Sequence, residues 1–253
     1  MLEYISYGGG VQSTAMVLMA IDGKIKKPDL VVFADTGSEM PQTYETVERI
    51  AEICEENNLP FFITAASSGS TQGYKLHEWY MNRGTLPMVG VRFCTSKFKI
   101  DPVRAFVKTK VDQTKPKPWM NAWLGITSDE KRRATGISHV KYQIISYPLL
   151  EISRTECKQY IKKNYPQLNV AKSGCFCCPY ARKSHWINLK KNHQNLFDTA
   201  LEMEEIAKKG GVTRGLFGKS TIDVFNYSHQ LTDFGFIIND EGDEGCADWS
   251  CFT

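Results

Sequence analysis

A parallel α/β sheet with helices on both faces, Rossmann-like in its alternation, is the architecture this sequence predicts. Three observations predict it. Apolar runs of strand length alternate with helical segments, the second of those runs is continuous rather than alternating, and a glycine triplet separates the first run from the helix after it. Strands separated by helices imply βαβ crossovers and a parallel sheet. A continuous apolar run is what a strand buried on both faces requires.

The elements follow in order. "EYISY" reads as the first strand, and "STAMVLMAI" as a helix with Ser13 near its N-terminus. "DLVVFAD" is the continuous run. "PQTYETVERIAEICEENN" then places Val47, Ile50, Ala51 and Cys54 at helical spacing, with Pro41 suited to a helix start. "PFFITAA" is a third strand, "DPVRAFVKT" a helix and "WMNAWLGI" a fourth strand. After about Tyr147 the pattern turns helical and cysteine-bearing, ending in the acidic, irregular "NDEGDEGCADWSCFT". The expected division is an α/β core over residues 1–150 and a mainly helical region over residues 151–253.

Composition sets bounds. The chain has 253 residues, enough for a sizeable core, and its 42% hydrophobic and 23% charged content is that of a globular protein. A formal charge of +3 is too small to indicate a partner. No run approaches the ~18 apolar residues of a membrane span, so no membrane partner is expected. Glu3 and glycines stand where a signal peptide would need basic and apolar stretches. A cytoplasmic location is therefore expected, with the eight cysteines serving as thiols or metal ligands rather than a disulfide framework.

The triplet Gly8, Gly9 and Gly10 sits where a strand gives way to a helix. Such a turn offers bare N–H groups at a helix N-terminus, an arrangement suited to phosphate, to which Ser6 or Ser13 can add a hydroxyl. It is not a Walker loop, lacking Gly-Lys-Ser/Thr, and it lacks the G-x-G-x-x-G fingerprint. A second signal follows the second strand, in "FADTGSEMPQTYE". Ligands of open parallel sheets bind outside the carboxyl ends of the strands, so Asp35, Thr36, Gly37 and Glu39 stand beside the glycine loop. Asp35 can accept from ribose hydroxyls or an adenine amino group, or it can hold the turn before the next helix.

Taken together, "SYGGGVQST", "ADTGSEMPQTYE", "RFCTSKFKIDP" and "LGITSDEKRR" resemble the successive motifs of the phosphoadenosine phosphosulfate reductase-like family. That family lies within the adenine nucleotide alpha-hydrolase (PP-loop ATP pyrophosphatase) superfamily. "YPLLEISRTECKQYI" and "SGCFCCPY" extend the likeness to about Tyr180. The resemblance implies binding of ATP or a related adenine nucleotide, with magnesium as its companion ion. Gly8, Gly9, Gly10 and Ser13 would surround the phosphates, and Asp35, Thr36 and Gly37 would lie near the nucleoside. Two departures stand out. Gln12 occupies the place of the loop's usual aspartate, and the Glu-Cys-Gly-x-His motif of authentic sulfonucleotide reductases is missing from the "GCADWSCFT" end.

The cysteines carry the metal signal. Cys175 and Cys178 have C-x-x-C spacing with Cys177 between them, and Cys246 and Cys251 have C-x4-C spacing. Cys94 sits where iron–sulfur members of the family place a cysteine pair, and Thr95 stands in for the second of that pair. Separated thiolate segments can hold an iron–sulfur cluster or zinc; the resemblance favours a 4Fe-4S cluster. Cys54 and Cys157 read as packing residues. Arg92 and Lys99, flanking Cys94, are candidates to hold nucleotide phosphates. Lys131, Arg132 and Arg133 follow the fourth strand, Lys108 to Lys117 read as solvated surface, and Trp186 reads as the inward face of a helix.

The function implied is an adenine-nucleotide enzyme that cleaves ATP to AMP and pyrophosphate, activating an acceptor for sulfur transfer. Nucleic acid is the expected acceptor, with a partner protein as the sulfur supplier. Two alternatives stay open: a sulfonucleotide (PAPS/APS) reductase, and a metal-stapled nucleic-acid-binding or defence-complex subunit whose nucleotide pocket does no chemistry.

Overall fold

A computed structural model describes residues 1–66 and 69–216 of the chain. At its centre β1 (Leu2–Tyr7) pairs in parallel with β2 (Leu30–Ala34) on one side and β4 (Met120–Trp123) on the other. β3 (Phe61–Thr64) and β5 (Gln143–Ser146) are the edges, so the described strands run β3-β2-β1-β4-β5, all parallel. The register sets Ile5 opposite Val31 and Trp123.

Alternation along the strands divides the core. Ile5, Tyr7, Val31 and Phe33 face one side; Tyr4, Leu30, Val32 and Ala34 face the other, as a two-residue period demands. The first face is covered by α1 (Val11–Ile21), α2 (Pro41–Glu56) and α6 (Arg154–Asn164). Val103 and Val107 of α5 (Asp101–Lys108) cover the second. Leu18 and Ile50 are wholly buried, and burial of such side chains stabilises by about 1.5–3 kcal/mol each. Cys54 and Cys157 lie in this first core, their thiols pushed up to about 12 by burial, which is the packing role expected of them.

A third cluster lies beyond the sheet. It joins α3 (Leu76–Asn82), the turn around Cys175 to Cys177, α7 (Lys183–Asn192) and α8 (Gln194–Lys209). Trp186 is completely buried within it, facing inward as the sequence indicates. The helical region thus begins with a helix on the sheet: α6, closed by a Ser153–Glu156 capping box, packs against α1.

Several elements were not among those expected, α3 among them. β5 has only Ile144 and Ile145 between Gln143 and Ser146, and as an edge strand it leaves Ile144 39% exposed. The chain also passes from α4 (Phe93–Thr95) through a π-helical turn at Ser96–Ile100 into α5. Among the described residues, no helix is long and apolar enough to cross a membrane.

Strand order places the ligand edge. From β1 the chain winds outward through β2 and β3, then returns to the other side of β1 for β4 and β5. The reversal between β1 and β4 opens a crevice at their carboxyl ends, where doubly wound sheets bind ligands.

A candidate nucleotide site beside a cysteine cluster

The glycine loop lies at that crevice. Gly10 is the N-cap of α1, and no side chain caps this helix end, so its N–H groups and the positive end of its dipole suit an anion. Ser13 closes the loop, its hydroxyl donating to Gly10 O at 3.1 Å and accepting from the Gly8 N–H at 3.3 Å. Ser6 stands half-buried on β1, opposite Val32.

Glycine is required here by neighbouring protein atoms. Gly9 has φ +71°, and a Cβ there would fall 2.7 Å from Thr43 Cγ2 of α2. A Cβ on Gly10 would fall 2.8 Å from Ser173 Oγ. On the other flank, a Cβ on Gly125 would come within 3.0 Å of Ser13 N, so the loop after β4 presses its backbone on the start of α1. Gly125 was not among the anticipated site residues, although a glycine at the carboxyl end of a predicted strand is the signal that could have marked it.

The motif after β4 also meets the loop. Gln12 Nε2 donates to Glu130 Oε2 at 3.4 Å, and Arg133 pairs with Glu130 at 2.7 Å. A carboxylate therefore stands beside position 12 although the loop itself carries none. Lys131 instead pairs with Glu151 at the surface.

The segment after β2 is organised by Asp35. Its Oδ1 accepts from the Gly37 N–H at 2.7 Å and from the Tyr44 hydroxyl at 2.8 Å; burial and that carboxylate push the Tyr44 phenol up. This is the turn-holding role, and it leaves Oδ2 as the atom with which Asp35 can meet a nucleoside. Thr36 is committed internally, donating to Glu39 Oε1 at 3.0 Å and accepting from the Ser38 N–H at 3.2 Å.

Glu39 is the residue the sequence undervalued. Its side chain is 0% exposed, and Lys99 Nζ stands 2.8 Å from Oε1. Lys99 comes from the π-helical turn, a local widening of the helix that recurs at functional sites. Cys175 Sγ approaches the same oxygen at 3.5 Å, and Glu39 Oε2 is buried with no partner among the described residues. Arg92 is half-buried at the start of α4, five residues before Lys97 and beside Cys94 in sequence.

The cysteine turn is fastened to this segment. Met40 N–H donates to Gly174 O and Phe176 N–H to Ser38 O, each at 2.9 Å, forming an antiparallel bridge at Glu39 and Cys175. Cys178 N–H donates to Cys175 O at 3.2 Å, closing the turn, and His185 Nε2 lies 3.0 Å from Phe176 O. Cys175 and Cys177 are buried, while Cys94 and Cys178 border the same core. The Tyr80 phenol, in the same core, is pushed up by burial. Burial raises the Cys175 and Cys177 thiols, which are therefore neutral in the protein alone.

Thiols are the donors a thiophilic metal prefers, and Cys94, Cys175, Cys177 and Cys178 belong to or border one core. Among the described residues, no three His, Cys, Asp or Glu side chains stand together as a metal site. Cys246 and Cys251 lie outside the described residues. On the outer side of the Gly37–Glu39 segment is a cleft of about 510 Å³, lined in part by Tyr44, Lys75, His77, Phe176 and Leu196. Ser38 Oγ lies 2.8 Å from His77 Nδ1 there, and burial lowers the pKa of His77.

Comparison with known proteins adds the following. The family model described as the phosphoadenosine phosphosulfate reductase domain matches residues 3–170. An uncharacterized protein of Methanocaldococcus jannaschii is 23% identical over 199 residues, covering 76% of this chain but 45% of that relative. The chain thus spans less than half the length of the curated relative it matches. Among solved structures, the phosphoadenylyl-sulfate (PAPS) reductase from Candida auris in a phosphate complex is similar at 18% identity and a TM-score of 0.39, over 64% of this chain and 71% of that one. The U34-tRNA thiolase NcsA from Methanococcus maripaludis, with its 4Fe-4S cluster, is similar at 17% identity and a TM-score of 0.49, over 91% of this chain and 81% of that one.

Proposed function

The chain belongs to the phosphoadenosine phosphosulfate reductase domain family, and on that basis we propose that it binds ATP and cleaves it to AMP and pyrophosphate, activating an acceptor for sulfur transfer. The observation that carries this reading is the uncapped start of α1 behind a glycine loop held by α2 on one side and by Gly125 on the other. Pyrophosphate rests against the loop, where fixed N–H donors meet developing negative charge without reorganising. Asp35 Oδ2 meets the nucleoside, and its Oδ1 keeps the segment in place. Glu130 beside Gln12 is the carboxylate nearest the loop for a magnesium ion that accompanies the nucleotide. Arg92 and Lys99 remain candidates for phosphate contact.

A 4Fe-4S cluster, or zinc in the same place, would be held by Cys94, Cys175 and Cys178 (or Cys177 in its stead) together with one or both of Cys246 and Cys251, and would supply a thiophilic position for sulfur. The fastening of Cys175 to Glu39 keeps that position next to the nucleotide edge. The acceptor in this reading is nucleic acid, and a partner protein in the cytoplasm supplies the sulfur.

ATP–pyrophosphate exchange by the anaerobically purified protein tests the proposal. The expected result is exchange that depends on magnesium, with AMP and no ADP formed when an acceptor is present. Sulfite release from PAPS without exchange would favour the reductase reading. ATP binding with neither reaction would favour a subunit whose pocket does no chemistry.

A further inference from the structure

We infer that the lysines from Lys108 to Lys117, at the amino-terminal edge of the sheet, grip a nucleic-acid backbone away from the nucleotide crevice. The inference rests on the reading of nucleic acid as acceptor and adds where such an acceptor is held. Three observations converge. Charge is concentrated here: from Arg104 to Lys117 the chain carries five cations and one acid, Asp112, although the whole chain carries only +3. Among the described residues, Lys115 alone of these lysines has a carboxylate partner, Asp112 at 3.9 Å.

The ammonium groups are also held in place by rings. Lys108 Nζ stands 5.3 Å from the centre of the Tyr142 ring and Lys117 Nζ 5.1 Å from that of Trp119. Those two rings stack on each other at 5.8 Å and 18°. Lys110 Nζ lies over Phe62 and Phe106, at 5.1 and 5.2 Å. Trp119 is itself fixed, its Nε1 donating to Lys115 O at 2.7 Å. The third observation is position. Trp119 and Tyr142 directly precede β4 and β5, so the cations gather at the amino ends of the strands, opposite the crevice.

Lysine stems laid over rings keep their charged heads in water, and side chains already held lose less freedom on binding. Separate point charges of one sign match the regular phosphates of a nucleic acid, whose binding releases counterions. Trp119 and Tyr142 each already have a lysine and the other ring as neighbours, so this surface offers charge rather than a stacking platform. Binding should therefore follow the backbone and not the sequence. Strands of four to six residues put the two edges roughly 13–20 Å apart, a span that a folded RNA bridges.

The test is fluorescence anisotropy with labelled RNA hairpins of about 20 nucleotides, in two unrelated sequences, across a salt series. With four phosphate contacts, affinity should fall roughly 100-fold between about 50 and 200 mM salt. The variant carrying Lys108→Gln, Lys110→Gln, Lys115→Gln and Lys117→Gln should bind at least about tenfold more weakly at low salt, with a slope shallower by about 3. A control carrying Lys162→Gln, Lys163→Gln, Lys208→Gln and Lys209→Gln removes as many exposed charges elsewhere and should keep the parent slope. Circular dichroism confirms folding of both, and ATP–pyrophosphate exchange without RNA should be the same in both. Undiminished RNA binding by the first variant, or equal weakening in the control, overturns the assignment and leaves the acceptor reading standing. So does a tenfold preference for one hairpin sequence, or loss of exchange in the folded first variant. Binding to phosphatidylglycerol vesicles without binding to RNA would move the surface to a membrane and overturn the inference. A parent protein that binds neither hairpin overturns the nucleic-acid reading and this inference with it.

Discussion

The glycine loop and the cysteine turn sit at the same edge of the sheet, yet they differ in how complete the protein leaves them. At the loop, protein atoms already fill the space. Thr43 and Ser173 press on Gly9 and Gly10, Gly125 presses on Ser13, and the Ser13 hydroxyl both donates and accepts. At the turn, Cys175 and Cys177 are neutral buried thiols, and Glu39 Oε2 is buried without a hydrogen-bond partner among the described residues. One side is a glycine loop fixed by packing at a helix N-terminus; the other is a pair of buried neutral thiols fastened beside a buried carboxylate. The difference teaches that the loop's shape is set by packing, whereas the thiols at this edge are held neutral by burial. The two are not independent, because Ser173, two residues before Cys175, covers Gly10.

The largest way to break this contrast is at Gly9. Gly9→Val meets Thr43 Cγ2 and an unfavourable φ, so strain of about 1–3 kcal/mol adds to overpacking of about 1–3 kcal/mol. Denaturant unfolding should register a loss of about 2–6 kcal/mol whether or not nucleotide is present. Adding Thr43→Ala should return the packing share alone. A Gly9→Val protein as stable as its parent would mean that the cradle is not held by α2.

Next comes Cys175→Ser, which should abolish metal loading while changing the melting of metal-free protein little. Metal itself should stabilise the parent by about 2.7 kcal/mol at a hundred times its dissociation constant, and chelation should remove that gain. Equal melting of loaded and stripped protein would contradict a centre that waits on its metal.

Much of this edge was legible in the sequence. Strands and helices with strong periodicity stand where their patterns place them, and the glycine and Asp35 motifs directly follow β1 and β2. What was not legible depends on long-range contacts. Glu39 gains its importance from Cys175, 136 residues away, and no local pattern joins them. Gly125 matters because of Ser13, across the switch between β1 and β4. The C-x-x-C spacing drew attention to Cys175 and Cys178, and only the fold shows that Cys94 borders the same core. β5 was missed because two isoleucines are too short a run to stand out, and pairing with β4 supplies what propensity does not.

A smaller effect sharpens the preformed side. Asp35→Asn keeps an oxygen for the Gly37 N–H and the Tyr44 hydroxyl, so the fold should persist. Loss of a charged acceptor for the nucleoside is worth about 1.5–3 kcal/mol, or at least tenfold in ATP affinity by calorimetry. Unchanged affinity would reduce Asp35 to its turn-holding role.

The smallest effect lies outside both regions and serves as a control. Cys54 and Cys157 have thiols raised to about 12 by burial. A raised folded-state value means that their contribution is fully present below the unfolded thiol range near ~8.5 and is lost as pH climbs toward 12. Thermal melting of metal-free protein should therefore fall from pH 9 upward, and Cys54→Ala with Cys157→Ala should flatten that fall while leaving the pH dependence of ATP binding unchanged.

Calorimetric titration of ATP into the protein before and after anaerobic metal removal compares the two regions directly. A cradle built by packing predicts one ATP per chain with nearly the same affinity in both preparations, although only the loaded protein would support sulfur transfer. ATP binding that disappears with the metal, or that never occurs in either preparation, would contradict it.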